Sequence, residues 1–182
     1  MHQNLEIELK MLVDEDQFEE LLSFYLPHDF IMQTNYYYES KNSSHYAFRV
    51  REKEGKKLFT LKKKVPEGHY EYEKYFEGRL EDDPEIVEVL KSFNETLPCK
   101  LLGSLTTYRY TVDTGLAELC FDINQYNDIQ DYEIEYEVKK DHDYRTAFKE
   151  ILAKAGIEFV ENKVSKYRRF TSTMKQRKLS RS

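Results

Sequence analysis

The chain has 182 residues, 40% of them hydrophobic and 34% charged, with 15 Tyr, 11 Phe and a formal net charge of −6. This content describes one folded domain with a real core and excludes a disordered chain, and no apolar run approaches the roughly 20 residues needed to cross a bilayer. Cys99 and Cys120 lack metal-type spacing and the first residues lack a signal-peptide apolar core; a reduced cytoplasmic protein is expected, with a single disulfide left open.

The first element, residues 3–12, alternates Leu5, Ile7 and Leu9 with Glu6, Glu8 and Lys10. That is the period of a strand with one apolar and one charged face, on which residues two apart sit roughly 6.6 Å from each other. A helix follows, with Asp14 as cap, Gln17 as its capping-box partner, Phe18, Leu21, Leu22 and Tyr25 inward, and a stop at Pro27. Strands are then expected at 31–39, 45–53, 57–64 and 69–77. In the first of these, Tyr36, Tyr37 and Tyr38 read as strand packing. In the others Arg49 and Arg51 oppose Phe48 and Val50, Thr60 and Lys62 oppose Phe59 and Leu61, and Glu71 and Glu73 oppose Tyr70 and Tyr72. Val65-Pro-Glu-Gly reads as the hairpin between the last two.

A second helix starts at Asp83 as cap and Pro84 at the first turn, with Ile86, Val87 and Leu90 on its apolar stripe. Strands 104–113 and 116–124, joined at Asp113-Thr-Gly, carry Arg109 beside Thr107, and Asp122 against Phe121 and Ile123. Strand 130–139 sets Glu133, Glu135 and Glu137 against Ile134, Tyr136 and Val138. A third helix, Asp143 to Ala155, buries Phe148, Ile151 and Leu152 and stops at Gly156. From Lys163 onward there are eight Lys or Arg and no acid. Residues 1–162 therefore hold 20 Lys and Arg against 34 Asp and Glu, a net of −14. One domain over residues 1–173 is expected, with 174–182 as a basic tail that frays.

Short links imply antiparallel neighbours, and about eight such strands favour a closed barrel over a sheet with long open edges. If the apolar faces point inward, the charges are ordinary surface. The helices argue the other way, because they need an apolar sheet surface to pack on, and the charged faces would then line the lumen. So many buried charges require water, each other, or a ligand of both signs. A polyphosphate with its divalent cations meets that need: carboxylates ligate Mg²⁺ or Mn²⁺, and Arg and Lys hold phosphate oxygens. The five histidines have no ligand spacing and are not assigned to metal. The basic end has no nucleic-acid motif around it, so nucleic acid is not an expected partner.

Glu6-Ile-Glu8-Leu-Lys10 resembles the Glu-x-Glu-x-Lys signature of the CYTH superfamily, the triphosphate tunnel metalloenzymes. Arg49-Val-Arg51, Thr60-Leu-Lys62, Glu71, Arg109, Asp122, Glu133-Ile-Glu135-Tyr-Glu137, Lys163 and Ser165-Lys166-Tyr167 follow in that family's order across nearly the whole chain. The resemblance implies a mainly β, eight-stranded antiparallel tunnel with a charged interior and flanking helices. It implies metal ligation by Glu6, Glu8, Glu135, Glu137 and Asp122, with Mg²⁺ or Mn²⁺. It implies substrate binding by Lys10, Arg49, Arg51, Lys62, Arg109, Lys163 and Lys166, and catalytic roles for Lys10, Glu133 and Glu71. The implied activity is hydrolysis of a terminal phosphate from inorganic triphosphate, a nucleotide or thiamine triphosphate. The rival readings are a class IV adenylyl cyclase and a tunnel that binds polyphosphate without turnover. Cyclases of that class carry a His-Phe pair several residues before the motif, and the short stretch before Asn4 holds none. The oligomeric state, a homodimer included, is left open.

Overall fold

The computed structural model describes residues 1–26 and 29–181. The expected helix stop at Pro27 falls outside the described residues, as do His28 and Ser182, the last residue of the expected tail. The strands are β1 (His2–Glu6), β2 (Glu8–Val13), β3 (Ile31–Tyr38), β4 (Tyr46–Lys53), β5 (Lys56–Val65), β6 (Gly68–Phe76), β7 (Leu101–Asp113), β8 (Ala117–Tyr126) and β9 (Ile129–Val138). The helices are α1 (Glu15–Leu22), α2 (Pro84–Ser92), α3 (Tyr144–Ala153) and α4 (Lys166–Ser180), with a short 3-10 turn at Leu80–Asp82. Neighbouring strands follow the order β1-β6-β5-β4-β3-β7-β8-β9-β2. The registered pairings are antiparallel.

The expected first strand is in fact two. Residues up to Glu6 pair with β6, where Glu6 faces His69, and residues from Glu8 pair with β9, where Glu8 faces Glu137. Alternation of side chains survives the change of partner at Ile7, so the sequence period alone reads the two as one. Among the described residues this raises the strand number from eight to nine.

Contacts gather in two compact units. The first comprises Met1–Glu6 and Met32–Thr106, the second Ile7–Ile31 and Thr107–Ser182. In the first unit, Phe48, Val50, Phe59 and Leu61 pack against Ile86 and Leu90 of α2. Asp83 caps that helix through the Glu85 and Ile86 amides, and Pro84 sits where no amide hydrogen is needed. The β5–β6 hairpin closes with Val65 opposite Gly68, as Val65-Pro-Glu-Gly implied.

In the second unit, Leu9, Met11, Leu119, Phe121, Ile134 and Tyr136 meet Phe18, Leu21 and Leu22 of α1 and Phe148 and Leu152 of α3. The α1 capping box forms as expected, with Asp14 accepting from the Gln17 amide at 2.8 Å. Helix α3 ends at a left-handed Gly156, a conformation that a side chain would oppose. In both units the helices lie on the apolar strand faces. The opposite faces bury Thr60, Glu71, Thr107, Asp122, Glu133 and Glu135 instead of leaving them to solvent.

Helix α4 has no counterpart among the expected elements. Its sequence has little apolar periodicity, and its buried residues, Lys166, Tyr167, Arg169 and Phe170, lie in its first turns. Ser165 caps it through the Arg168 amide at 3.2 Å. The residues expected to fray from 174 onward continue the helix to Ser180, where Arg177 pairs with Asp128 at 2.7 Å. Among the described residues no helix is long and apolar enough to cross a membrane.

Candidate active site

The register of the second unit brings its charged residues into rows. Glu8 stands opposite Glu137, Lys10 opposite Glu135 and Leu12 opposite Glu133 on β2 and β9. Across the other edge of β9, Glu135 faces Cys120 and Glu133 faces Asp122. Directly opposed side chains on one face lie close enough that their charges must be compensated. Arg109 does part of this work. Its guanidinium donates twice to Asp122 at 2.7 Å, to Glu135 at 2.5 Å and to Glu137 at 3.0 Å. Lys166, at the first turn of α4, contributes the other cation. Its ammonium lies 2.9 Å from Asp122 and 2.5 Å from Glu133, and also bonds Glu135. Lys10 reaches Glu8 at 3.3 Å.

These neighbours divide the carboxylates by their affinity for protons. Burial opposes the Glu135 charge, yet Lys166 and Arg109 beside it hold that carboxyl well below the ordinary range. Glu133, fully buried, is shifted upward by desolvation despite Lys166, with Glu135 adding repulsion. Burial likewise works against the Lys166 ammonium, and Glu133, Glu135 and Asp122 keep it protonated.

Two all-carboxylate sets in this unit have ligand atoms within 4.8 Å of one another: Glu8 with Glu135 and Glu137, and Asp122 with Glu133 and Glu135. Both offer the hard oxygen donors that Mg²⁺ or Mn²⁺ takes. The second set already encloses the Lys166 ammonium. The first set borders Lys10 and Arg109 and is the better fit for an added divalent ion. A third grouping, Glu118, Cys120 and Glu137, includes a thiol that burial pushes well above its ordinary range, a poor partner for a hard cation.

The first unit carries its own charged face. Lys62 bonds Glu6 at 2.5 Å and Glu71 at 2.8 Å, and Thr60 donates to Glu73 at 3.3 Å. Arg51 donates from Nε to the Asn35 amide oxygen at 2.9 Å. Arg49 shares the Arg51 face, one pair along, opposite Tyr37 and Thr60. Among the described residues its Nε is buried without a partner.

The expected site residues thus fall into two groups. Glu6, Arg49, Arg51, Lys62 and Glu71 share the charged face of the first unit, and Glu8, Lys10, Arg109, Asp122, Glu133, Glu135, Glu137 and Lys166 that of the second. Lys163 joins neither: its side chain is 83% exposed and meets Glu161 at 4.0 Å. Several participants have no mark in the strand pattern. Arg169, three residues after Lys166 on one side of α4, bonds Glu133 at 2.9 Å and Asp131 at 3.0 Å. Asn162 donates to Glu133 at 3.1 Å. The spacing of Lys166 and Arg169 is a helical signal, legible only once that segment is taken as a helix.

The model of the CYTH domain family matches residues 4–171. YjbK of Bacillus subtilis (strain 168), provisionally named a triphosphatase, is 29% identical over 181 residues, covering 90% of this chain and 93% of its own. A crystal structure from Bacillus halodurans, provisionally named an adenylate cyclase, is 30% identical with a TM-score of 0.82, over 93% of this chain and 99% of that one. A Hippeastrum protein, provisionally named an adenylyl cyclase and described as revealing a dominant triphosphatase activity, has a TM-score of 0.70 at 20% identity, covering 94% and 96%.

Proposed function

The chain belongs to the CYTH family, and from that premise we propose that it is a divalent-metal-dependent triphosphatase that releases the terminal phosphate of inorganic triphosphate or a related substrate. The observation that carries this reading is the set of Glu8, Glu135 and Glu137, with ligand atoms within 4.8 Å of one another and Arg109 and Lys10 at its border. The name of the Bacillus subtilis relative supports the same reaction.

Glu8, Glu135 and Glu137 would hold Mg²⁺ or Mn²⁺, with Asp122 as a further carboxylate, and Glu6 is proposed as a metal ligand from its place in the Glu-x-Glu-x-Lys motif. The ion would neutralise phosphate charge and lower the pKa of a bound water. Glu135, kept ionised by Lys166 and Arg109, suits a ligand, and Glu133, buried beside it and bonded by Lys166, Arg169 and Asn162, is proposed as the carboxylate that helps orient the attacking water. Glu71 is proposed to orient water in the same way. Arg49, Arg51, Lys62, Arg109 and Lys166 supply donors to phosphate oxygens, and Lys10 stands beside the reacting group. Phosphoryl transfer needs little beyond such positioning and charge compensation. Lys163, exposed and 4.0 Å from Glu161, is proposed as a further substrate-binding cation on the strength of its place in the motif order alone. Free Cys99 and Cys120 are consistent with a reducing, cytoplasmic setting.

The name of the Bacillus halodurans structure keeps cyclisation of ATP as the second reading. One assay separates them. The purified protein is incubated with Mg²⁺ or Mn²⁺ and inorganic triphosphate, ATP or thiamine triphosphate, and orthophosphate and cyclic AMP are followed. Orthophosphate is expected, with kcat/KM falling about 100-fold or more in Glu8→Ala and Glu137→Gln, the scale of losing one preorganised electrostatic group. Cyclic AMP with pyrophosphate would establish the cyclase, and tight binding without turnover would establish a sensor.

A further inference from the structure

Strands β3 and β4 hold buried donors that nothing in the first unit accepts from. Gln33 and Asn35 stand two apart on β3 and share a face. The register puts Asn35 opposite Arg51 and Tyr37 opposite Arg49, so Gln33, Asn35, Arg49 and Arg51 all look to the same side. Gln33 is 2% exposed and Asn35 is fully buried. Even so, Gln33 Nε2, Asn35 Nδ2 and Arg49 Nε have no hydrogen-bond partner among the described residues. Buried donors left unmatched are rare in folded proteins, and three on one face call for a common acceptor.

The orientation of the Asn35 amide follows from its neighbour. Arg51 Nε donates to Asn35 Oδ1 at 2.9 Å. Exchanging the amide oxygen and nitrogen would set donor against donor, because a guanidinium accepts nothing. The Asn35 NH₂ is therefore fixed as a buried donor on the side away from Arg51 Nε. If packing alone were required, Met or Leu would fill these positions without an unmet hydrogen bond. The partner that suits two amide donors and the Arg49 guanidinium is an anion whose oxygens only accept.

We infer that Gln33 and Asn35 are substrate-binding residues which, with Arg49, form a subsite for the non-bridging oxygens of one phosphoryl group. The inference rests on the proposed function for the identity of the anion. The amides supply direction without charge. They reward a tetrahedral oxyanion at a fixed place, where guanidinium groups alone would hold any nearby negative charge.

The test is calorimetric titration of the full chain with inorganic triphosphate in EDTA, alongside its melting temperature. Asn35→Asp keeps the oxygen that Arg51 needs and removes the donors. Gln33→Met removes a donor at nearly constant volume. Each is expected to raise Kd about tenfold, the scale of one charge-assisted hydrogen bond, with an unchanged or higher melting temperature. A rise below threefold in both variants overturns the subsite, as does weakened binding that merely follows a lowered melting temperature. Hydrolysis by the parent with unaltered variant affinity defeats the subsite and leaves the triphosphatase reading intact. Parent binding that depends on Gln33 and Asn35 without phosphate release does the reverse.

Discussion

The Glu73 carboxyl stands beside Thr60, which donates to it at 3.3 Å, and burial raises its pKa, with Glu71 adding repulsion. A carboxyl that binds its proton more tightly when folded stabilises the protein fully below its unfolded pKa, and that contribution is lost as pH rises through the folded value. Glu73→Gln, neutral at every pH, is therefore expected to melt above the parent at pH 7 and level with it near pH 4, as calorimetry at the two pH values would show. At this scale the sequence was most readable where a strand period fixed the face. Glu8, Lys10, Arg109, Glu135 and Glu137 could be grouped because side chains alternate whatever the partner strand. Gln33 and Asn35 could not: a neutral amide gains meaning only from burial and from the missing acceptor, and both are properties of its neighbours.

Helix α4 brings Lys166 and Arg169 to β9, and it does so with little apolar surface of its own, chiefly Tyr167 and Phe170. Its start therefore depends strongly on the Ser165 cap. Ser165→Ala is expected to cost about 1 kcal/mol in urea denaturation and to lower turnover as well, because the same turn holds the Lys166 ammonium among Asp122, Glu133 and Glu135. The helices α1, α2 and α3 were legible for the reason α4 was not. Asp14, Asp83 and Asp143 cap segments with clear apolar stripes, whereas Lys166–Ser180 is held by Asn127, Asp128, Asp131 and Glu133 from the neighbouring strand region. The break at Ile7 leaves no mark in the sequence for another reason: it changes hydrogen-bonding partners and leaves the pattern of side chains untouched.

For the whole molecule, ligand and stability are linked. A ligand bound only by the folded chain at 100 times its Kd adds about 2.7 kcal/mol, and near this size each kcal/mol moves the melting temperature by roughly 2–4 °C. Inorganic triphosphate with Ca²⁺, chosen to suppress turnover, is expected to raise the melting temperature by several degrees, and EDTA to remove the metal's share of that rise. The division into units also has a consequence for synthesis. The first unit has all of β1, β3, β4, β5 and β6 once the chain reaches Thr106, whereas the second opens with β2 and α1 and closes with residues after Thr107. Leu9 and Met11 leave the ribosome early, yet their partners Tyr136 and Ile134 on β9 come late. At cellular elongation rates that interval is on the order of ten seconds. During it the nascent chain must carry an unmatched apolar strand while an entire unit is made and folded in between.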